Sequence, residues 1–305
     1  MKIISIIITY NGSKWVEKCF GSLVKSIHPL KIIAVDNASD DGTPEIIRTK
    51  YPEVEVINSG QNLGFGKANN IGLRKALEER ADYAFLLNQD AWIEPDTIMK
   101  LISVHRNNAN FGILSPLHMS GDQINLDNNF SNYINGYSCP GLISDYIFNR
   151  EIKEVYNINF VNAAIWLISR ECIEKVGGFD PLFVHYGEDE DYINRVKLHG
   201  LKVGICPGAI GYHDRPQNAR KTINWTPERI FCSNLAKLKD PNLKPPSKKS
   251  YRMNILFLQL RSLIGNNNKN KKNLILANKL ILKSFDQILA NRSVCQLSNP
   301  SFLQE

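Results

Sequence analysis

The sequence predicts an α/β protein: a mostly parallel, Rossmann-like sheet flanked by helices, followed by a helical C-terminal tail. Three observations carry that prediction. Over the first hundred residues, short apolar runs alternate with helical patterns. The runs are apolar at consecutive positions, as in strands buried on both faces. Polar groups gather directly after these strands, at the edge where open α/β sheets bind ligands.

The first run, Ile3–Thr9, follows a single lysine and leads straight into Tyr10-Asn11-Gly12. It is too short for a secretory signal and is read as a buried first strand. Residues 13–27 have a helical pattern that stops before His28-Pro29, and Lys31–Val35 forms the second strand. Thr43-Pro44-Glu45 opens a helix, with a cap and a proline at its first position. Val54–Ile57 is a strand, Lys67–Glu79 a helix and Tyr83–Leu87 a strand, and Pro95 starts a helix that runs to about His105. After Phe111 the rhythm weakens, and residues 118–157, rich in Asn, Ser, Gly and Tyr, receive no assignment. Regularity returns with a strand at Phe160–Ile168, a helix at Arg170–Val176, a helix from Glu188 and a strand at Leu201–Cys206.

A proline- and lysine-rich stretch, "DPNLKPPSKKS", marks a linker over 240–250. Beyond it, Arg252–Ile264 and Asn273–Ala290 read as amphipathic helices, the second with Leu274, Ala277, Ile281, Phe285 and Ile288 on one stripe. The organisation is therefore a main body (1–239, in halves 1–110 and 111–239), a linker and a tail (251–305).

With 305 residues, 43% of them hydrophobic, the chain can bury an ample core. No apolar run approaches the ~18 residues needed to span a bilayer. Six scattered cysteines without CxxC pairing predict neither a disulfide framework nor a zinc site and suit a reducing cytoplasm. The net charge of +7 is uneven: from residue 241 onward eleven Lys/Arg face two acids, which leaves the first 240 residues slightly acidic. That argues against nucleic acid as a partner of the main body.

The strand ends carry the candidate chemistry. Asp36 follows an apolar strand and precedes the turn residues Asn37 to Thr43, so turn chemistry alone does not account for it. In "NQD", the two-residue period of extended chain puts Asn88 and Asp90 on one side and Gln89 on the other. A carboxylate and an amide facing a crevice suit a divalent cation with a diphosphate; a plain strand-to-loop transition would read the same. "QNLGFGKANNIG" offers a helix start and Lys67 to phosphate, or simple loop punctuation. His213, read as lying just beyond the last strand, becomes a candidate metal ligand if Asp90 is near it.

In "VHYGEDEDYINRV" four acids occupy consecutive positions. From a helix start at Glu188, Asp189 heads the stripe of Tyr192, Ile193 and Val196, which makes it a candidate general base. Asp191, four residues before Arg195, and Glu190 read as surface helix chemistry. Glu188 fits either side.

Taken in order, "SIIITYN", "VDNASDDGT", "NLGFGKANN", "LLNQDAWIEPD" and "GGFDPLFVHYGEDEDYINR…YH" resemble the inverting family 2 glycosyltransferases of the GT-A fold, in particular the bacterial rhamnosyltransferase-like branch. The resemblance spans about the first 230 residues. It implies an enzyme that moves a sugar, with rhamnose the best guess, from a nucleoside-diphosphate sugar to a saccharide hydroxyl in cell-surface polysaccharide synthesis. The donor it implies is dTDP-rhamnose or a UDP-sugar. Thr9, Tyr10 and Asp36 would contact the nucleoside, and Asn62, Lys67 and Asn88 would serve the base and diphosphate. Asp90 would hold Mg²⁺ or Mn²⁺, with His213 completing the shell. Asp189 would be the base, with Trp166, Tyr186 and Glu188 lining the acceptor side. Asn88 departs from a strict DxD and removes one charge from the metal site.

The basic tail fits a peripheral contact with the inner face of the plasma membrane, where a lipid-linked acceptor would reside; packing on protein is the other reading. Two alternative functions are a nucleotide-sugar pyrophosphorylase-like enzyme and a catalytically silent glycan- or lipid-binding protein on the same fold.

Overall fold

The computed structural model describes residues 1–183, 186–215, 226–245, 247–263 and 269–303. The element order is β1 (Ile3–Thr9), a 3-10 turn (Ser13–Trp15), α1 (Val16–Val24), β2 (Lys31–Asp36), α2 (Thr43–Lys50), β3 (Glu55–Asn58) and α3 (Gly64–Glu78). There follow β4 (Tyr83–Asn88), β5 (Ala91–Ile93), α4 (Thr97–Asn107), β6 (Phe111–Ser120), α5 (Asn128–Tyr133), α6 (Leu142–Ile147), β7 (Tyr156–Asn157) and β8 (Ile165–Ser169). The chain continues with α7 (Arg170–Val176), α8 (Glu188–Leu198), β9 (Lys202–His213), α9 (Pro227–Lys239), α10 (Lys248–Leu263), α11 (Lys269–Lys283) and α12 (Phe285–Val294).

One sheet in the order β3-β2-β1-β4-β8-β6-β9-β5 organises the molecule, with β7 paired to β9. The first half is parallel, as its continuous apolar runs demand: β1 pairs β2 and β4, and β2 pairs β3. The second half is mixed, because β8 runs antiparallel to both β4 and β6, whereas β6 and β9 are parallel. Successive residues of β1 enter opposite cores: Ile4 and Ile6 pack under α3, and Ile3 and Ile7 pack under α1. Gly72 of α3 sits so close that a Cβ there would lie 2.4 Å from a methyl of Ile6.

Several sequence boundaries shift. α3 starts at Gly64, three residues before Lys67, and its Gly64 adopts φ +78°. The unassigned stretch after Phe111 contains the ten-residue strand β6, whose Asn- and Ser-rich continuation hides it from a pattern search. The strand expected at Phe160–Ile168 begins only at Ile165. β9 extends to His213, so that histidine is the last residue of a strand and not part of a loop.

The tail does not behave as an appendage. A third core joins Phe183 and the α9 residues Leu235 and Leu238 to Ile281, Phe285 and Ile288 of the tail. The predicted second tail helix is broken at Ser284 into α11 and α12. The first begins at Lys248, inside the expected linker; Ile264, its expected end, lies outside the described residues. Gly178 N–H donates to Ser301 O at 2.8 Å, Arg74 Nε donates to Leu303 O at 3.1 Å, and Leu303 enters the main core. All six cysteines are free and buried. Among the described residues no helix is long and apolar enough to cross a membrane.

Candidate active site

Two adjoining cavities open at the carboxyl edge of β1, β2 and β4, and Phe65, Asn88 and Asp90 line both. The first, about 260 Å³, is walled by Tyr10, Asn37, Asn62, Phe65, Asn88 and Asp90. The second, about 500 Å³, brings Asn88 and Asp90 together with Asn162, Tyr186, Glu188, Asp189, His213 and Arg215. Residues more than a hundred positions apart in sequence thus share one cleft.

The first cavity is shaped by side chains turned against backbone. Gln89 grips Tyr10, accepting from its N–H at 2.9 Å and donating to its carbonyl at 3.0 Å. Asn88, Gln89 and Asp90 all line this cavity, because β4 ends at Asn88 and Gln89 and Asp90 form a turn, so the alternation expected of extended chain does not hold. Asn62 accepts from Gly64 N–H and fixes the start of α3. Thr9 and Asp36 lie beneath the wall. Asp36 is buried and accepts from Thr9 Oγ1 at 2.8 Å, Ser39 N at 2.9 Å and Ser39 Oγ at 2.6 Å. Its carboxylate organises the loop, and its neighbour Asn37 reaches the cavity. Lys67 stands exposed on the first turn of α3, outside the walls of both cavities.

At the join, His213 Nε2 lies 3.2 Å from Asp90 Oδ1. Burial pushes the Asp90 carboxyl up, but the hydrogen bond and charge of His213 outweigh it and hold the group below the usual carboxylate range. Arg215 lies beside this pair, bridged to the buried Asp127 at 2.9 Å and within 2.5 Å of His213 Nδ1. Among the described residues no three His, Cys, Asp or Glu side chains gather as a metal cage. Asp90 and His213 supply one oxygen and one nitrogen donor, with the Asn88 amide alongside. A divalent cation at this pair would need further ligands from phosphate and water, so the residues present fit an ion that binds together with a diphosphate.

The acidic run divides differently from its helical phase. Asp191 is fully buried, and the predicted pair with Arg195 forms at 2.9 Å inside the core, not on the surface. Lys239, also buried, closes on Asp180 and stands 3.5 Å from Asp191. The expectation of a surface position for Asp191 is therefore corrected: α9 covers that face of α8 and brings Lys239 to it. Asp189 is half-buried at the cleft, its Oδ1 accepting from Glu190 N–H at 2.9 Å. Burial, reinforced by the neighbouring Glu188 charge, pushes its carboxyl up to about 7. Glu188 is buried too, with Oε2 lacking a partner among the described residues. Two consecutive left-handed residues, Tyr186 (φ +68°) and Gly187 (φ +88°), aim this turn. Such a conformation is costly for tyrosine and is typical of functional loops. On α3, Gly66 leaves space for this loop: a Cβ there would lie 2.9 Å from Phe179 and 3.8 Å from Glu188.

Trp166, expected on the acceptor side, does not reach the cleft. It is wholly buried on β8 and stacks on Phe179 at 6.3 Å, since strand pairing with Leu86 turns its ring into the core. Tyr186 lines the cavity and is half exposed, with the Arg229 guanidinium 4.4 Å over its ring. Sequence reasoning missed Asn37, Gln89, Asn162 and Arg215. Asn37 follows Asp36, Gln89 lies between Asn88 and Asp90, and Arg215 stands two residues after His213, each beside a recognised signal; Asn162 stands beside none.

Residues 5–177 match the family model described as glycosyl transferase family 2, more than half of the chain. The chain belongs to glycosyl transferase family 2. A further model, described as the N-terminal domain of galactosyltransferase, matches residues 146–217, which carry Asp189 and His213. Two curated relatives of this glycosyltransferase are an N-acetylglucosaminyl-diphospho-decaprenol L-rhamnosyltransferase of Mycobacterium tuberculosis and the dTDP-rhamnosyl transferase RfbF of Shigella flexneri. The first is 24% identical over 237 residues, 69% of this chain and 75% of the relative. The second is 28% identical over 213 residues, 67% of this chain and 66% of the relative. Among solved structures, TarS of S. aureus in complex with UDP-GlcNAc superposes with a TM-score of 0.61 at 15% identity, covering 98% of this chain and 89% of that one. The glycosyltransferase therefore has the GT-A fold that its motifs imply, and the pyrophosphorylase alternative is set aside.

Proposed function

We propose that this glycosyltransferase is an inverting, metal-dependent enzyme that moves rhamnose from dTDP-rhamnose to a hydroxyl of a saccharide acceptor, lipid-linked, in cell-surface polysaccharide synthesis. The observation that carries the reading is Asp189, with a carboxyl near neutrality, in the same cavity as the Asp90–His213 pair. Relatives that carry rhamnosyltransferase names support the choice of sugar.

In this reading the donor nucleoside and diphosphate occupy the first cavity, against Tyr10, Asn37, Asn62 and Asn88. Asp189 accepts the proton of the acceptor hydroxyl as its oxygen bonds to the anomeric carbon from one side. The bond from that carbon to the diphosphate oxygen breaks on the other, which inverts the configuration. Asp90 and His213 would hold a Mg²⁺ or Mn²⁺ ion, which when bound neutralises charge on the departing diphosphate. Arg215 adds a fixed positive charge to the same wall, where a leaving diphosphate gains most from it. Glu188 and Tyr186 border the acceptor hydroxyl.

Hydrolysis of a panel of nucleotide sugars, with and without Mn²⁺, tests the reading. Turnover of dTDP-rhamnose above UDP-hexoses, abolished by EDTA, is the expected result. Asp90→Asn should raise the Mn²⁺ concentration needed for half-maximal rate by about tenfold or more, since charged first ligands dominate affinity for hard cations. If no donor is bound or turned over, the chain is the catalytically silent binding protein instead.

The tail supports a place at the cytoplasmic face of a membrane. Met253, Leu256 and Leu260 on α10 are each more than half exposed and lie beside the exposed cations Lys249 and Arg252. Anionic lipid attracts such cations by about 1 kcal/mol each. Co-sedimentation with phosphatidylglycerol vesicles should fall sharply in Met253→Ser/Leu256→Ser/Leu260→Ser and at high salt. Equal pelleting of variant and parent would refute the membrane contact.

A further inference from the structure

A third cavity, of about 310 Å³, lies farther along α8 and has no part in the mechanism above. Its walls are Asn159, Phe160, Glu190, Ile193, Asn194 and Lys197. On α8 the four residues fall at i, i+3, i+4 and i+7, one face of the helix. The opposite wall is the segment that continues as Asn162, Ala163 and Ala164 into the catalytic cavity. Both cavities are thus bounded by the same helix and the same stretch of chain. From Asp189 to Lys197 the helix advances about 12 Å, one groove's length from the base.

The groove has fixed walls. Phe160 is held edge-on by Tyr133 at 5.0 Å. Tyr133 reaches toward the catalytic end: burial, and then the charge of Asp189, raise its hydroxyl to about 12. Lys197 Nζ donates to Asn159 O at 2.7 Å, tying the helix to the opposite wall. At the catalytic end, Asn162 Oδ1 and Glu188 Oε2 are buried acceptors without a partner among the described residues. Buried acceptors of this kind are costly unless a ligand supplies donors. A hydroxyl-rich ligand supplies them.

An aromatic face flanked by amides and a carboxylate is the chemistry that recognises a pyranose: C–H groups against the ring, hydroxyls to Asn and Glu. The volume is at the lower end of small-ligand sites, about 300–1,000 Å³. We propose that this third cavity is a second acceptor subsite that binds the sugar preceding the one glycosylated, so that the enzyme selects an acceptor of at least two sugar units. The proposal rests on the transferase reading above and identifies the substrate class that reading leaves open.

The test uses the donor chosen by the hydrolysis screen. Transfer is measured to pairs of octyl glycosides that share a terminal sugar: glucoside and cellobioside, N-acetylglucosaminide and chitobioside, rhamnoside and rhamnobioside. In at least one pair the disaccharide should win by about tenfold or more in kcat/KM, through KM. Phe160→Ala, and independently Asn194→Ala on the half-exposed face of the helix, should bring that ratio toward one. The ratio compares two substrates on one protein, so a loss of folded enzyme leaves it unchanged. Equal kcat/KM within every pair overturns the proposal, as does a ratio that both variants leave intact. Donor hydrolysis without transfer to any disaccharide also overturns it. Failure of hydrolysis with every donor would instead remove the transferase reading, a result that the two assays keep apart.

Discussion

Asp189→Asn is expected to lower sugar transfer by about 10²–10⁴-fold, the usual worth of a positioned base, while donor affinity changes less than about twofold. Asparagine keeps the size of the side chain and an oxygen for the Glu190 N–H. It removes the carboxylate proposed to receive the acceptor proton. Initial rates and donor titration by calorimetry measure the two halves of the prediction. Transfer within threefold of the parent would rule out Asp189 as the base and direct attention to Glu188.

The same carboxyl sets the pH profile. A base must be ionised to act, so kcat should fall about tenfold per unit as pH drops below about 7. The groups facing Asp189 are Glu188 and Glu190 on its own helix and Tyr133 from α5; the two acids carry like charge, and burial raises both. Stability moves the opposite way. A carboxyl whose folded value exceeds its unfolded one binds more protons in the folded state between the two values. The resulting penalty is absent at low pH, grows as pH rises toward 7 and is complete above it. Asp189→Asn should therefore melt higher than the parent at pH 8 and converge with it near pH 4. An acidic limb near pH 4 in the parent enzyme would contradict the burial argument.

Lys239→Met is expected to destabilise the fold by about 3–5 kcal/mol, the cost of stranding a buried charge, or on the order of 10 °C in melting temperature. Lys239, Asp180, Asp191 and Arg195 are all buried and mutually paired. Arg195 also donates to Val176 O at 2.7 Å and Gly178 O at 2.8 Å, and Asn291 of α12 donates to Asp180 at 3.1 Å. Burial, opposed in part by the neighbouring Cys295, draws the Lys239 ammonium down to about 8. The network ties α8, which presents Asp189, to α9 and the tail. Loss of activity should accompany loss of stability, and a variant melting within 2 °C of the parent would show that the network is dispensable.

Most of the donor half could be read from the sequence. Its strands are continuous apolar runs, and its candidate site residues follow strand ends, so local pattern and position in the fold coincide. The helices of 118–157 could not be read, because their Asn and Ser side chains carry no period, and β6 was hidden because its apolar run leads straight into that stretch. Asp191 was misjudged because an i, i+4 pair looks the same on a surface helix and on one covered by α9. Trp166 was misplaced for a related reason: which face of β8 meets the cleft depends on its pairing with β4, and residue type is silent on that.

The sequence by itself determined the parallel α/β half, the candidate base, the Asp90 position and the ordered motifs of family 2, since each is a local consequence of periodicity or spacing. Only the tertiary structure decided that His213 meets Asp90, that Arg215 and Asn162 join the cleft and that the tail completes the core behind α8. Those outcomes depend on contacts across 50 to 200 positions, where strand order and helix packing choose the neighbours and no local pattern records the choice.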